Sequence, residues 1–257
     1  MDMKAWQLDG RVAIVTGAAE GGIGEAFART LADAGARVVC ADVELDRAEE
    51  VAGKIRADGG DSIAARVDIG DETSTQALAA HANEAFGGVD ILVNNAALMA
   101  QIVGTPLMQY TLEDWDRVMR VNVTGAWLMS KAVLASMRSR GAGKIINISS
   151  LGAYPAESVY GISKLAIVGL TTALAKELGP FNINVNAIAP GYTQSKAGTS
   201  LTPASGPMRD LLEARAVLRL TGTPQELANG LLLLASDAGA WISGQVLHID
   251  GGYVTRP

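Results

Sequence analysis

Tyr160 and Lys164 stand one helical turn apart in the run Val159-Tyr-Gly-Ile-Ser-Lys164. A free phenol, with a pKa near ~10, is a poor proton shuttle at neutral pH. An ammonium at i+4 shares its helix face and can favour the phenolate. Moving the phenol from ~10 to ~7 requires about 4 kcal/mol of differential stabilisation. One exposed i,i+4 contact supplies only a few tenths. The pair therefore needs exclusion of water and further positive charge, which describes a closed, cofactor-filled site. The pair Ser149-Ser150 lies just upstream, and a glycine-rich turn lies near the N-terminus. Together these residues read as the acid/base centre of a hydride-transfer enzyme. The alternative is a surface Tyr and Lys that share a helix face.

The turn Thr16-Gly-Ala-Ala-Glu-Gly-Gly-Ile-Gly24 follows an apolar run and opens a helical pattern. Glycines there let the backbone approach a pyrophosphate, and a helix N-terminus offers free N–H groups at its positive dipole end. Asp42 closes the next apolar run. A carboxylate at that place can accept both adenosine ribose hydroxyls and repel a 2′-phosphate, which favours NAD over NADP. Asp42 could instead cap a helix beginning at Glu44.

These residues need a scaffold, and short apolar runs alternating with longer helical patterns supply one. Strands are expected at residues 12–16, 37–41, 62–67, 91–94, 143–148, 184–188 and 245–249. Helices are expected at 24–34, 45–57, 72–86, 112–139, 159–178 and 224–235. The strands are nearly continuous apolar runs, as strands buried on both faces should be. The pattern predicts an α/β doubly wound Rossmann fold: a seven-stranded parallel sheet with helices on both faces, in one domain over 1–257. The segment 112–139 is long for one helix, and Gly125 could mark a kink or a close helix contact. Residues 194–209, rich in Ser, Thr, Gly and Pro, escape the alternation and suggest a substrate lid reaching to about 215.

Composition bounds the function. Hydrophobic residues make up 49 % of the 257, charged residues 19 %, and net charge is −6. No Lys/Arg cluster offers a surface for nucleic acid or anionic lipid. The longest apolar runs are too short to span a bilayer. The first residues lack the basic-then-apolar layout of a signal peptide. The expectation is a soluble, cytoplasmic protein. The one cysteine, Cys40, sits in an apolar run and suits a core filler; it allows no intrachain disulfide. His81 falls in a polar helical stretch. His248, in the last strand, suits a locally satisfied side chain. Two histidines leave little material for a zinc site or a Ser-His-Asp triad, and no metal is expected.

In order along the chain stand the glycine-rich turn, Asp68-Ile69, Asn94-Asn-Ala-Ala97, Asn122, Ser149-Ser150, Tyr160-x-x-x-Lys164 and Pro190-Gly191. In this ordered set the chain resembles the short-chain dehydrogenase/reductase family over essentially its whole length. The resemblance implies that Gly17, Gly22, Ile23 and Gly24 hold the pyrophosphate, while Asp68 and Ile69 meet the adenine. It implies that Asn94, Ala96 and Ala97 line the cofactor, although Asn94 could also tie neighbouring strands. Asn122 would distort its helix and hold a water in a proton relay. Tyr160 would be the general acid/base. Lys164 would lower its pKa and bind the nicotinamide ribose. Ser150, preferred over Ser149, would bind the substrate oxygen. Pro190, Gly191, Tyr192 and Thr193 would hold the carboxamide, with Ser195 where the family usually has a threonine.

The chain departs from the family pattern in three places. The glycine turn is one residue longer, with the insertion at Glu20 or Gly21, so that Glu20 must point to solvent. Ala97 replaces a glycine. The serine-to-tyrosine gap is about three residues shorter, which leaves Ser149 as the alternative catalytic serine. The function implied is an NAD-dependent oxidoreductase interconverting a secondary alcohol and a ketone. The alternatives are a 3-oxoacyl-thioester (acyl carrier protein) reductase and, more distantly, a non-catalytic NAD-binding regulatory protein. The latter is expected to have lost Tyr160 or Lys164. Substrate walls are expected at 98–103, 151–157 and the lid, mostly apolar or small, which suits a neutral small-molecule alcohol or ketone. The family also implies a homo-oligomer, often a tetramer, paired through the two long helices and the C-terminal segment.

Overall fold

The computed structural model describes residues 3–99, 105–201 and 204–255. Seven parallel strands form the central sheet: β1 (Val12–Thr16), β2 (Arg37–Asp42), β3 (Ser62–Arg66), β4 (Ile91–Asn94), β5 (Gly143–Ile148), β6 (Ile183–Pro190) and, at the far edge, Val246–Ile249. Between β6 and that edge strand come β7 (Tyr192–Thr193) and β8 (Thr221–Gly222), a separate two-stranded pair that makes the edge strand β9. The sheet order is β3-β2-β1-β4-β5-β6-β9. Order reverses between β1 and β4, so the carboxyl ends of those strands open a crevice where such sheets bind ligands.

Strand alternation explains the unbroken apolar runs. Ala13 and Val15 of β1 and Val38 and Cys40 of β2 face one layer. That layer is built from α1 (Ile23–Asp33), α2 (Leu45–Ala57) and α9 (Pro224–Ala235). Ile14, Val39 and Ala41 face the other layer. There lie α3 (Glu72–Phe86), α5 (Gly125–Arg140) and α6 (Val159–Leu178). Cys40 is wholly enclosed, and burial pushes its thiol up to about 12.

Local chemistry sets the helix ends that matter here. Ser158 caps α6 by accepting from the Gly161 amide at 3.1 Å, which fixes the turn carrying Tyr160. Thr223 and Glu226 close a capping box on α9, with Pro224 in its first turn. The stretch Val159–Phe181 is long and apolar enough to cross a membrane by length and composition, contrary to the run-length expectation. A run count misses it because Lys164, Lys176 and Glu177 interrupt an otherwise apolar average. In the fold, Ile167, Leu174 and Leu178 of this helix are buried.

Two expectations need correction. The predicted helix 112–139 divides into α4 (Leu112–Met119), a π-helical turn (Arg120–Thr124) and α5. The break has two causes outside the segment. Asn122 in the turn bonds the backbone of Leu98, and Gly125 lies so close to Ile69 that a Cβ would sit 2.8 Å from its side chain. The proposed lid is also not structureless: it contains α7 (Lys196–Leu201) and α8 (Pro207–Arg215). Pro207 at the first position of α8 reads as a loop residue in sequence but suits a helix start.

Candidate active site

The crevice at the β1/β4 reversal is a cleft of about 1120 Å³. At one end Gly17 leaves β1 with φ +67°, a conformation that favours glycine. A Cβ there would lie 2.8 Å from the Cα of Ala96, and one on Gly24 would lie 2.1 Å from the Gly17 oxygen. Gly22 then begins α1 with no side-chain cap, so the first amides of the helix have no side-chain acceptor. Gly17, Gly22 and Ile23 line the cleft; Gly24 does not, and its part is to let α1 approach β1.

Across the reversal, Asn95 stitches the two strand ends together. Its Nδ2 donates to the oxygens of Thr16 and Gly17, both at 3.0 Å. The Thr16 hydroxyl accepts from the amides of Asn95 and Ala96. Asn95, Ala96, Ala97 and Leu98 line the cleft. Asn94, expected to line it as well, does not. Its Nδ2 points inward to Asn147 Oδ1 at 2.9 Å, with the Ala126 oxygen and the Ser130 hydroxyl also in reach. Alternation along β4 puts Asn94 on the face of Leu92, beneath α5, and leaves Asn95 for the cleft. Only its strand-tying role is realised.

At the end of the cleft beside β2 and β3, Asp42, Asp68 and Ile69 form the lining. Asp42 Oδ1 accepts from the Glu44 amide at 3.0 Å. This is a turn contact, since α2 begins at Leu45 with Glu44 as its cap residue. Burial raises the Asp42 carboxyl, opposed by that backbone hydrogen bond. Asp68 Oδ1 accepts from the Gly70 amide at 2.8 Å. Glu20 points out of the cleft, its carboxylate 2.7 Å from the ammonium of Lys54 on α2.

At the other end Ser150, Tyr160 and Lys164 converge. The Ser150 and Tyr160 hydroxyls hydrogen-bond, and the Ser150 Oγ also accepts from the Gly152 amide at 3.1 Å. Ser149 is committed elsewhere: its hydroxyl donates to the Lys164 backbone oxygen at 2.9 Å. Lys164 is buried, with Nζ donating to the Ile148 oxygen at 2.8 Å and lying 5.6 Å from the centre of the Tyr160 ring. Burial lowers its ammonium to about 8. Burial also raises the Tyr160 phenol to about 12, against the opposing hydrogen bond from Ser150. Desolvation thus drives both groups toward their neutral forms.

Asn122 is buried behind this group and does not line the cleft. Its amide binds both the N–H and the oxygen of Leu98, at 2.8 and 3.1 Å, and donates to Ser163 Oγ at 3.0 Å. Ser163 in turn donates to the Tyr160 backbone oxygen. The side chain therefore ties a cleft wall to the tyrosine helix. Pro190, Gly191, Tyr192, Thr193 and Ser195 line the remaining side. Residues 100–103 of the expected wall lie outside the described residues. Sequence reasoning missed three arginines that line the cleft, Arg47, Arg117 and Arg120. The three-residue spacing of the last two, just before Asn122, was the available signal. His81 is exposed. His248 lies outside the cleft, its Nδ1 3.7 Å from the Asp250 carboxylate and its ring 4.7 Å from that of Tyr154.

A parallel sheet in this order with a glycine turn at its switch point defines a doubly wound Rossmann fold. Residues 17–254 match a family model described as enoyl-(acyl carrier protein) reductase. The chain belongs to the short-chain dehydrogenase/reductase family and is an oxidoreductase of that family. An uncharacterised oxidoreductase of Mycobacterium tuberculosis is 43 % identical over 248 residues, covering 96 % of this chain and 99 % of that one. A 7α-hydroxysteroid dehydrogenase, solved with NADH and 7-oxo glycochenodeoxycholic acid, superposes with a TM-score of 0.90 at 36 % identity, covering 100 % and 99 %. A gluconate 5-dehydrogenase from Burkholderia cenocepacia, solved with NADP and tartrate, gives 0.90 at 33 % identity, covering 98 % of each chain.

Proposed function

We propose that this protein is an NAD-dependent dehydrogenase interconverting a secondary alcohol and a ketone. The observation that carries the reading is the hydrogen-bonded Ser150–Tyr160 pair with Lys164 beneath it, at one end of a cleft whose other end is a glycine turn. The cleft suits a nicotinamide dinucleotide. The tight Gly17–Ala96 and Gly24–Gly17 approaches leave no room for a Cβ where the turn packs on the strand ends, and Asp42 keeps one carboxylate oxygen free of the turn contact. Gly17, Gly22 and Ile23 would hold the pyrophosphate. Asp42 would take the adenosine ribose, Asp68 and Ile69 the adenine, and Pro190, Gly191 and Thr193 the carboxamide. Bound NAD supplies a hydride acceptor and, when oxidised, a positive charge beside Tyr160.

The chain's own residues do the rest. Ser150 orients the substrate oxygen. Tyr160 takes the alcohol proton as the carbinol hydride departs, and returns it in reduction. Lys164 stabilises the phenolate and Asn122 holds Leu98 and the tyrosine helix in register. Leu98, Met99, Leu151 and Pro155 line the substrate end and suit a neutral, modestly apolar or cyclic alcohol, with α7 and α8 as the lid. Trp127 of α5 and Leu165 of α6 are 45 % and 46 % exposed, which supports a homo-oligomer joined through these two helices, a tetramer by family habit. Replacing Tyr160 with Phe is expected to lower kcat by about 10²–10⁴-fold while NADH binding, read by fluorescence titration, persists. Retained turnover would remove Tyr160 from the acid/base role.

A further inference from the structure

The adenosine end of the cleft carries a guanidinium to which the reading above gives no role. Arg47, on the first turn of α2, lines the cleft together with Asp42. Its Nη1 donates to the Glu44 carboxylate at 2.5 Å and its Nη2 to the backbone oxygen of Glu20 at 2.8 Å. Glu20 falls in the lengthened part of the glycine turn. Its own carboxylate is drawn outward to Lys54, which also binds Glu25 at 2.9 Å, while the second Glu25 oxygen accepts from the Gly21 amide at 2.7 Å. The longer turn is therefore pinned to α2, and its exposed carbonyl becomes a seat for Arg47.

An arginine beside the adenosine ribose is the group that a 2′-phosphate selects, through two parallel charge-assisted hydrogen bonds. Here one donor on each terminal nitrogen already has a partner, and the surroundings are acidic. Glu44, Asp42 and Glu50 all act electrostatically on Arg47, and Glu44 is the strongest. Both Arg47 and Glu44 are solvent-accessible, with side chains 34 % and 59 % exposed. Exchanging one partner for another needs a side-chain rotation and no movement of the backbone.

We propose that Arg47 is a 2′-phosphate ligand held in reserve, kept engaged by Glu44 and the Glu20 carbonyl, so that the choice of NAD over NADP rests on the Glu44–Arg47 pair as well as on Asp42. The proposal rests on the NAD reading of the same site. It assigns the lengthened glycine turn a purpose: the turn supplies the second acceptor that holds the guanidinium.

The test is a set of fluorescence titrations with NADH and NADPH on four proteins: wild type, Asp42→Ala, Asp42→Ala/Glu44→Ala, and that double variant with Arg47→Ala added. Asp42 and Arg47 line the cleft, Glu44 is solvent-exposed beside them, and none of the three belongs to the core clusters. The ratio of NADPH to NADH affinity is expected to rise on removing Asp42 and to rise about tenfold further on removing Glu44. It should then fall about tenfold when Arg47 is removed, one charge-assisted contact in each step. A triple variant that keeps the gain of the double would show that losing negative charge alone explains it, and would overturn the proposal. So would a double variant no better than Asp42→Ala. Wild type binding NADPH more tightly than NADH is a different failure, visible in the first titration. It would refute the NAD reading itself and, with it, the idea of a reserve.

Discussion

Replacing Lys164 with Met is expected to stabilise the folded protein at neutral pH while abolishing turnover. In the structure the ammonium lies buried, with the Ile148 oxygen as its hydrogen-bond acceptor, and its pKa falls from 10.5 to about 8. The sign follows from proton linkage. Between those two values the unfolded chain binds the proton and the folded chain releases it, so wild-type stability rises with pH across the window. At pH 7 both states are charged, and the depressed pKa represents a penalty of about 3 kcal/mol on the fold. By pH 9.5 the same relation leaves about 1.5 kcal/mol. Methionine removes the charge at similar length but strands the Ile148 oxygen, which costs about 1–2 kcal/mol. The net gain at pH 7 is therefore about 1–2 kcal/mol, shrinking to near zero by pH 9.5. Urea unfolding of both proteins without cofactor, at equal concentration and at the two pH values, measures it. A Met variant less stable than wild type at pH 7, or a difference that does not change with pH, would refute the reasoning.

Two further outcomes separate neighbouring residues with different jobs. Ser150→Ala is expected to lower kcat by about 10²-fold, the usual loss of one donor to a developing oxyanion. Ser149→Ala should leave kcat within a few-fold and lower stability by about 1 kcal/mol, since its hydroxyl serves the Lys164 backbone; steady-state kinetics with thermal unfolding reads both. Asn94→Ala should lower stability by about 1–3 kcal/mol through the lost bond to Asn147. NADH affinity should stay within about twofold of wild type, whereas a tenfold loss in the titration would return Asn94 to the cofactor surface.

The strands were legible because burial on both faces leaves an uninterrupted apolar signature. All seven sheet strands fall within two residues of the expected spans at either end. That the glycine turn, Asp42, Asp68, Ser150, Tyr160 and Lys164 share one cleft was legible because residue type and local spacing single them out. What escaped depends on contacts between distant segments. The π-helical turn arises from Leu98 pulling on Asn122 and from Ile69 pressing on Gly125, and neither leaves a trace in the periodicity of 112–139. Arg47 reads as an ordinary polar residue of an amphipathic helix until the lengthened turn is seen to reach it. The Asn94/Asn95 assignment is different in kind. Leu92 faces the α5 layer, so period-two alternation from Leu92 already places Asn94 beneath α5.

The electrostatics of Tyr160 and Lys164 bear directly on how the proposed chemistry could run. A phenolate beside an ammonium requires the tyrosine to give up its proton before the lysine does. In the protein alone the order is reversed, with the phenol at about 12 and the ammonium at about 8. Bringing the phenol to ~7 requires about 7 kcal/mol. A charged Lys164 at the observed 5.6 Å from the ring supplies about 3 kcal/mol at an effective dielectric near 20. About 4 kcal/mol remains, larger than any single exposed contact provides. Under the proposed reading that remainder must come from groups that arrive with the cofactor: a second positive charge beside the tyrosine and an acceptor that holds Lys164 protonated. On that reading burial keeps the proposed acid/base pair inactive until the cleft is filled, and the same desolvation that suppresses it then strengthens each of those interactions.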